Sequence, residues 1–375
     1  MTTVGLSLDT FCRGLLAELS EEGYDVVALS SPDQHLTSLC SHEGVRGIGV
    51  KMTRNISPLA DIRSLWALVK VMRREKPAMV HTMTPKAGLL GMLAARMAGV
   101  PVRVHTFTGL LFPTARGLRR RLLLTTDRIT CAAATHIIPE GEGVRADLIA
   151  ARVTRKPLRV LGHGNVKGVD LAHFTPTPQL REEAAALRQR FGIAPGEKTL
   201  IFVGRLVRDK GLRELAQAVK GLDCHLILVG APEGGPDDID TAIFGGSPRV
   251  HRSGGWIADI RPWILAADAL VFPSYREGFP NVVLEAGALG LPSIVTDING
   301  SREIITDGIN GFVVPPQQSA PLAAAIARLL AMPAEQLQLM GSNARADIEA
   351  HFSQPFVRRC LKEFYKEILT STDAS

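Results

Sequence analysis

Short apolar runs rich in Val, Ile and Leu alternate along this chain with longer segments whose apolar residues recur three or four positions apart. The first pattern predicts buried strands and the second amphipathic helices. In the first half, strands are predicted at residues 4–8, 25–29, 45–50, 78–82, 102–107 and 156–160, with helices at 11–19, 36–43, 58–75 and 85–98. In the second half, strands fall at 199–204, 225–230, 250–253, 269–273, 293–297 and 311–315. Helices are predicted there at 212–219, 259–267, from 281 onward, 320–330, 334–352 and 356–369. Alternation at this pitch requires parallel strands joined by crossover helices, so the expected class is α/β with two Rossmann-like α/β/α domains. A Gly-rich stretch from Gly162 to Asp170, then Pro176 and Pro178, interrupts the pattern. It places a first domain at 1–170, a linker and second domain at 171–355, and a last helix, 356–375, crossing back to the first.

With 375 residues, 46% of them hydrophobic, the chain can fill two cores. Charged residues make up 21% and no low-complexity tract occurs, so disorder is expected only at the tail, residues 370–375. The five cysteines are scattered, without CxxC or metal-ligand spacing, which fits a reducing cytoplasm and no metal site. Residues 1–8 lack the basic start and apolar run of a signal peptide. The most membrane-like run, 87–95, is bounded by Lys86 and Arg96 and falls far short of the ~20 residues a span needs. The net charge of +6 is uneven, with the basic excess in residues 1–170. That excess suits a phosphorylated substrate or anionic lipid, while few aromatics and no recognisable motif argue against nucleic acid. Arg116 to Arg128 reads as a basic helix with a Leu face. Such a helix fits an anionic membrane surface, and equally a solvated face on a packed helix.

The candidate chemistry lies where strands end, because ligands of doubly wound sheets bind at the carboxyl ends. In the second half, strand 269–273 runs into Tyr275-Arg-Glu-Gly-Phe-Pro-Asn281, a tight turn opening a helix capped by Asn281. The backbone N–H groups of a helix start favour an anion. Glu277 and Glu285 sit in this otherwise apolar frame, where carboxylates need hydrogen-bonding partners such as sugar hydroxyls. Strand 199–204 ends in Gly204, which admits a ligand to the backbone, and the loop beyond it carries Arg205 and Lys210. Guanidinium plus ammonium suits a diphosphate whose charge grows as it leaves. In the first half the strand ends are 5–14, His81 to Lys86, and His105 to Gly109.

Glu277 and Glu285, with Phe-Pro-Ser before them and Gly-Phe-Pro-Asn between, resemble the E-x7-E signature of the family-4 retaining glycosyltransferases. Arg205 and Lys210 match the Gly-Arg…Lys-Gly donor-phosphate loop of that family. Ser30-Ser-Pro32, Ile56-Ser-Pro-Leu59, Val80 to Gly88 and His105 to Gly109 resemble its bacterial surface-polysaccharide branch. The resemblance implies a GT-B fold, two Rossmann-like domains facing each other across a cleft, the first for the acceptor and the second for a nucleotide sugar. It implies transfer of a hexose or N-acetylhexosamine from a nucleotide sugar, expected to be UDP-linked, to a glycan or polyprenyl-diphosphate-linked acceptor. Arg205, Lys210 and Glu277 would be catalytic. Gly204, Gly278, Phe279, Pro280, Asn281 and Glu285 would hold the donor, and the turn at Gly254-Gly-Trp256 would face its base. His81, Lys86, His105 and Thr108 are the acceptor-side candidates, Thr108 standing where many relatives carry His. No metal or other cofactor is expected, since no Asp-x-Asp motif stands out. The expected place is the cytoplasm, peripheral on the inner face of the plasma membrane. Relatives begin with a full hydrophobic strand, whereas only Met1–Val4 precedes the first Gly/Ser turn here, so strand one is clipped or the start assigned late. A sugar-nucleotide epimerase of the same fold, or a binding protein without activity, are the alternatives.

Overall fold

In the computed structural model, residues 1–53, 57–235 and 238–373 are described. Ile56, within one matched stretch, lies outside them. The chain forms two compact units, Met1–Gly168 with Pro355–Ser375, and Val169–Gln354. The change of unit occurs where two segments run side by side: Val169 N donates to Phe352 O and Gln354 N to Val169 O.

Among the described residues, five strands belong to the first unit: β1 (Val27–Ser30), β2 (Arg46–Gly49), β3 (Met79–Thr82), β4 (Val102–Phe107) and β5 (His136–Pro139). They form two parallel sheets, β1-β2 and β3-β4-β5. The second unit holds β6 (Thr199–Val203), β7 (His225–Val229), β8 (Val250–Arg252), β9 (Ala269–Phe272), β10 (Ser293–Thr296) and β11 (Gly311–Val314). These make one parallel sheet in the order β11-β10-β9-β6-β7-β8. Counted within the unit this is 3-2-1-4-5-6 read from β8, the doubly wound order, and it reverses direction between β6 and β9. Helices cover both faces, and β6, β7, β9 and β10 are almost wholly buried along one apolar core.

Several sequence expectations fail for identifiable reasons. Residues 4–8 are not a strand. A helix, Gly5–Cys12, starts there with Gly5 N donating to Asp33 Oδ2 at 2.8 Å. The helix expected at 11–19 is broken at Gly14, which takes φ 78° beneath the Arg358 guanidinium, and resumes at Leu15–Glu21. Residues 156–160 are no strand either, since Leu158 makes a single bridge to Ile137 on β5. The last strand of that sheet is β5 itself, which sequence reading passed over together with the helix Glu142–Ala150. The supposed linker at Pro178 is a helix, Pro178–Arg190, and Pro280 rather than Asn281 caps the helix Asn281–Ala288. The final helix runs Gln354–Asp373, so the expected disordered tail is helical as far as Asp373. It docks on the first unit through Arg358 and Lys362, both on Glu18 at 2.7 and 2.9 Å, and through buried Leu361, Phe364, Tyr365 and Ile368.

Candidate active site

Between β6 and β9, neighbouring strands whose connections depart to opposite faces, two loops leave the carboxyl edge side by side. After β6 come Gly204, Arg205, a single 3-10 turn at Arg208–Lys210, and the helix Leu212–Ala218. After β9 come Pro273 to Pro280 and the helix Asn281–Ala288. They are tied by backbone: Tyr275 N donates to Asp209 O at 2.8 Å. Side chains add Arg276 Nη2 to Asp209 Oδ2 at 3.0 Å and Tyr275 Oη to Glu214 Oε2 at 2.7 Å. Burial, then that Glu214 carboxylate, pushes the Tyr275 phenol far above its ordinary value, so it stays a donor.

This join brings Lys210 and Glu277, 67 residues apart, into contact, with Lys210 Nζ 2.5 Å from Glu277 Oε1. Both side chains are mostly shielded, 12% and 17% exposed. The same carboxylate oxygen accepts from Ser274 Oγ at 2.7 Å, and Ser274 is held in turn because Thr296 Oγ1 donates to its carbonyl. Lys210 Nζ also lies 5.1 Å from the centre of the Phe272 ring. A shielded ammonium beside a carboxylate with a second, independent anchor can exchange its partner for an anion without stranding either charge. Arg205 is not part of that pair. It bonds Glu233 Oε2 at 2.7 Å, and both side chains are about half exposed. Burial opposes its charge, but Glu233, with Asp209 and Glu277 further off, raises its pKa. The turn after β6 also lies against the end of β7, where only glycine fits. A Cβ on Gly230, at the end of β7, would lie 1.8 Å from Gly204 O.

Of the proposed donor residues, Gly278 and Glu285 are half-buried and Asn281 lies in the first helical turn. Phe279 is different. Its ring is buried in the core, 5.5 Å from Phe352, so only its backbone faces the loop. Trp256, on the loop after β8, is 80% exposed. Among the described residues no cluster of three or more His, Cys, Asp or Glu could hold a metal.

The acceptor-side candidates of the first unit are placed otherwise than expected. His81 is half-buried with both ring nitrogens paired: Nδ1 meets Tyr365 Oη at 2.5 Å and Nε2 meets Thr106 Oγ1 at 2.7 Å. Burial, then the nearby amino terminus, holds its pKa well below the imidazole range. His105 is 2% exposed and bonds Thr82 Oγ1 at 2.8 Å, and burial lowers its pKa to about 3. Both rings are committed to hydrogen bonds within the fold, and His105 lies in its interior. Lys86 is paired to Asp61 at 2.7 Å, and Thr108 donates to Met83 O at 2.9 Å, tying the ends of β3 and β4 together.

A carboxyl that sequence reading missed stands at that end. Asp127, on the basic helix Gly117–Ala133, lines a small cavity with Pro85, Thr108 and Thr126. Burial pushes its pKa up to about 7. A polar residue at a helical position otherwise facing the core was the available signal. The folded protein therefore binds a proton at Asp127 that the unfolded chain releases near 3.8. Its contribution to stability falls as pH rises from about 4 to about 7. Asp127→Asn is expected to raise the melting temperature above wild type at pH 8 and to match it below the ordinary carboxyl value, which melting curves across pH will check.

A doubly wound unit with a cation–carboxylate pair at its switch point, joined to a second parallel α/β unit, can hold a phosphorylated ligand at those strand ends. Comparison with known proteins agrees. Residues 8–164 match the family described as "Glycosyl transferase 4-like domain" and residues 197–332 that of "Glycosyl transferases group 1". The chain is 31% identical to the putative glycosyltransferase EpsD of Bacillus subtilis, covering 74% of each. It is 28% identical to the capsular polysaccharide biosynthesis glycosyltransferase CapM of Staphylococcus aureus, over 100% of this chain and 97% of that one. It is also 28% identical to the Escherichia coli UDP-Gal:alpha-D-GlcNAc-diphosphoundecaprenol alpha-1,3-galactosyltransferase, over 94% and 92%. Anabaena HepE, solved with UDP, shares the fold at a TM-score of 0.79 and 21% identity, over 98% of each chain. The chain belongs to the family-4 glycosyltransferases, and its fold is GT-B.

Proposed function

We propose that this protein moves a hexose or N-acetylhexosamine from a UDP-sugar to a hydroxyl of a growing, lipid-linked bacterial surface glycan. The reaction retains configuration and needs no metal ion. The Lys210–Glu277 contact across two strand ends carries the reading. Lys210, with Arg205, meets the diphosphate, which competes with Glu277 for the ammonium. Glu277, still held by Ser274, then accepts from the sugar hydroxyls. Backbone N–H groups of residues 278–281 face the sugar or phosphate, and Glu285 takes the ribose. The bond from the anomeric carbon to the phosphate oxygen breaks, the acceptor oxygen bonds that carbon, and the acceptor proton passes to the leaving phosphate. The acceptor class rests on the diphosphoundecaprenol-linked acceptor of the Escherichia coli relative and the capsular role of the Staphylococcus aureus relative.

Two helices of the first unit support a membrane-facing acceptor. Gly117–Ala133 exposes Leu118 and Leu122 beside Arg119, Arg120 and Arg121. Pro58–Glu75 exposes Leu59, Ile62 and Trp66 on the stripe that continues to Lys70 and Arg73. The exposed apolar residues of both helices lie in their first halves, and the helix Pro85–Ala98 packs against both helices. Apolar side chains flanked by cations bind an anionic lipid interface. No described helix is long and apolar enough to cross a membrane.

The test is incubation with UDP-sugars and a polyprenyl-diphosphate-linked glycan in anionic liposomes. UDP release that requires the acceptor, and a product longer by one sugar of retained configuration by NMR, is expected. Donor altered without acceptor would indicate an epimerase, and tight donor binding without product a binding protein. A variant combining Arg119→Glu, Arg120→Glu and Arg121→Glu should stop sedimenting with anionic liposomes while still glycosylating a water-soluble acceptor fragment. Unchanged sedimentation would remove the membrane part of the reading.

A further inference from the structure

The helix Gly117–Ala133 turns Leu124, Thr130, Cys131 and Ala133 into the core, and Asp127 stands among these positions, three after Leu124 and four before Cys131. It is half-buried, and no hydrogen bond or ion pair joins its carboxyl to any described residue. The cation next to it in sequence, Arg128, donates instead to Ala151 O at 3.2 Å. A shielded carboxyl without a partner costs free energy that an apolar side chain at the same position would not. Burial alone accounts for its raised pKa, with no cation opposing it.

The cavity that Asp127 lines sits at the carboxyl ends of β3 and β4, the edge at which doubly wound sheets take ligands. His105 and Phe107 are buried at its floor, whereas Pro85 and Leu111 are exposed and Thr108 is half-buried, so it opens on that edge. Its volume of about 30 Å³ admits a single hydroxyl or water and not a whole ring. The two threonine hydroxyls beside it have already given their protons, Thr108 Oγ1 to Met83 O at 2.9 Å and Thr126 Oγ1 to Leu123 O at 2.8 Å. What Asp127 lacks is therefore a donor. Among the described residues no cluster of three metal-ligating side chains forms there, which favours an O–H over a metal ion.

We propose that Asp127 selects the acceptor: one hydroxyl of the acceptor's terminal sugar enters this cavity and donates to its carboxylate. The inference rests on the transfer reading above for the class of ligand, a sugar acceptor, and adds the residue that chooses among such sugars. A sugar whose hydroxyl at that carbon is absent, or points the other way, leaves the carboxylate shielded and unpaired. Rejection of that kind is stronger than a hydrophobic contact supplies. Asp127 takes no proton from the reacting hydroxyl, which gives its proton to the leaving phosphate. Its part is to bind and orient the sugar.

The test reads binding by the full-length chain, without turnover. The probes are alkyl-diphosphate-linked glucose, galactose, N-acetylglucosamine and N-acetylgalactosamine, with and without UDP. The methyl NMR signals of Thr108, Leu110 and Leu123, which line the cavity, report occupancy. At least one sugar is expected to shift them. Among its deoxy analogues, the one lacking the hydroxyl that enters the cavity should bind wild type about 10- to 100-fold more weakly. Asp127→Ala should bind that analogue and its parent sugar alike. Asp127→Asn, which keeps one accepting oxygen, should fall between, and it carries the same comparison if the alanine variant does not melt cooperatively. Shifts with none of the four sugars would overturn the proposal, because the cavity then holds water alone. So would an Asp127→Ala or Asp127→Asn protein that discriminates between sugar and analogue as strongly as wild type. Transfer enters neither readout, so a chain that transfers no sugar can still pass this test and one that does can still fail it.

Discussion

Lys210→Ala is expected to lower sugar transfer by at least about 10²–10³-fold, the usual cost of removing one preorganised donor from developing charge. The physical reason is positional. The ammonium sits on a 3-10 turn whose neighbour Asp209 is fastened to the other loop by both backbone and side chain, so it is fixed before any donor arrives. Glu277→Ala should lose transfer to a similar extent from the opposite direction, by removing the acceptor of sugar hydroxyls and freeing Lys210 to hold the diphosphate less selectively. Both variants should melt cooperatively, because the pair borders the sheet edge rather than the apolar core. Lys210→Met, which keeps the aliphatic stem near Phe272, separates lost charge from lost packing: it should melt closer to wild type and remain as inactive as Lys210→Ala. Near wild-type turnover in Lys210→Ala and Glu277→Ala would remove this site.

Gly211→Ala is expected to be strongly destabilising, by about 3 kcal/mol or more, a fall in Tm of roughly 6–12 °C for a unit this size. Gly211 takes φ 73°, where an L side chain is strained, and its Cβ would lie 2.0 Å from Pro273 O. The obstacle is backbone at the end of β9, so it cannot rotate away like the tip of a side chain. The loops after β6 and β9 must then separate, pulling Lys210 from Glu277. Transfer measured well below the melting temperature should therefore fall as well. Gly221 is the matched control, because it also has a positive φ, 82°, but nothing lies within 4 Å of its Cβ position. Gly221→Ala should show the backbone strain alone and leave transfer unchanged.

The donor-side pair was legible before folding because two local motifs each announced a turn after a buried strand. Glu277 stood out as a charge in an apolar frame, and Lys210 as a cation beside a glycine. What the motifs did not contain was Ser274 as the second anchor of Glu277, or the Tyr275–Asp209 bond that fixes the distance between loops. The acceptor side was less legible. A histidine at a strand end reads the same whether it faces a ligand or the interior, and His81 was decided by Tyr365, 284 residues away. Asp127 was concealed in a basic helix, where one acid draws no notice.

By itself the sequence determined the α/β class, most strands and long helices, and the two strand ends that carry the cation and the carboxylate, because burial periodicity and glycine turns are local properties. Only the tertiary structure decided the strand order, the hydrogen-bond partners of both histidines and the division of the first unit's strands into two sheets. Each of these depends on which distant segment supplies the hydrogen-bonding partner, and periodicity records that a residue is buried without recording against what.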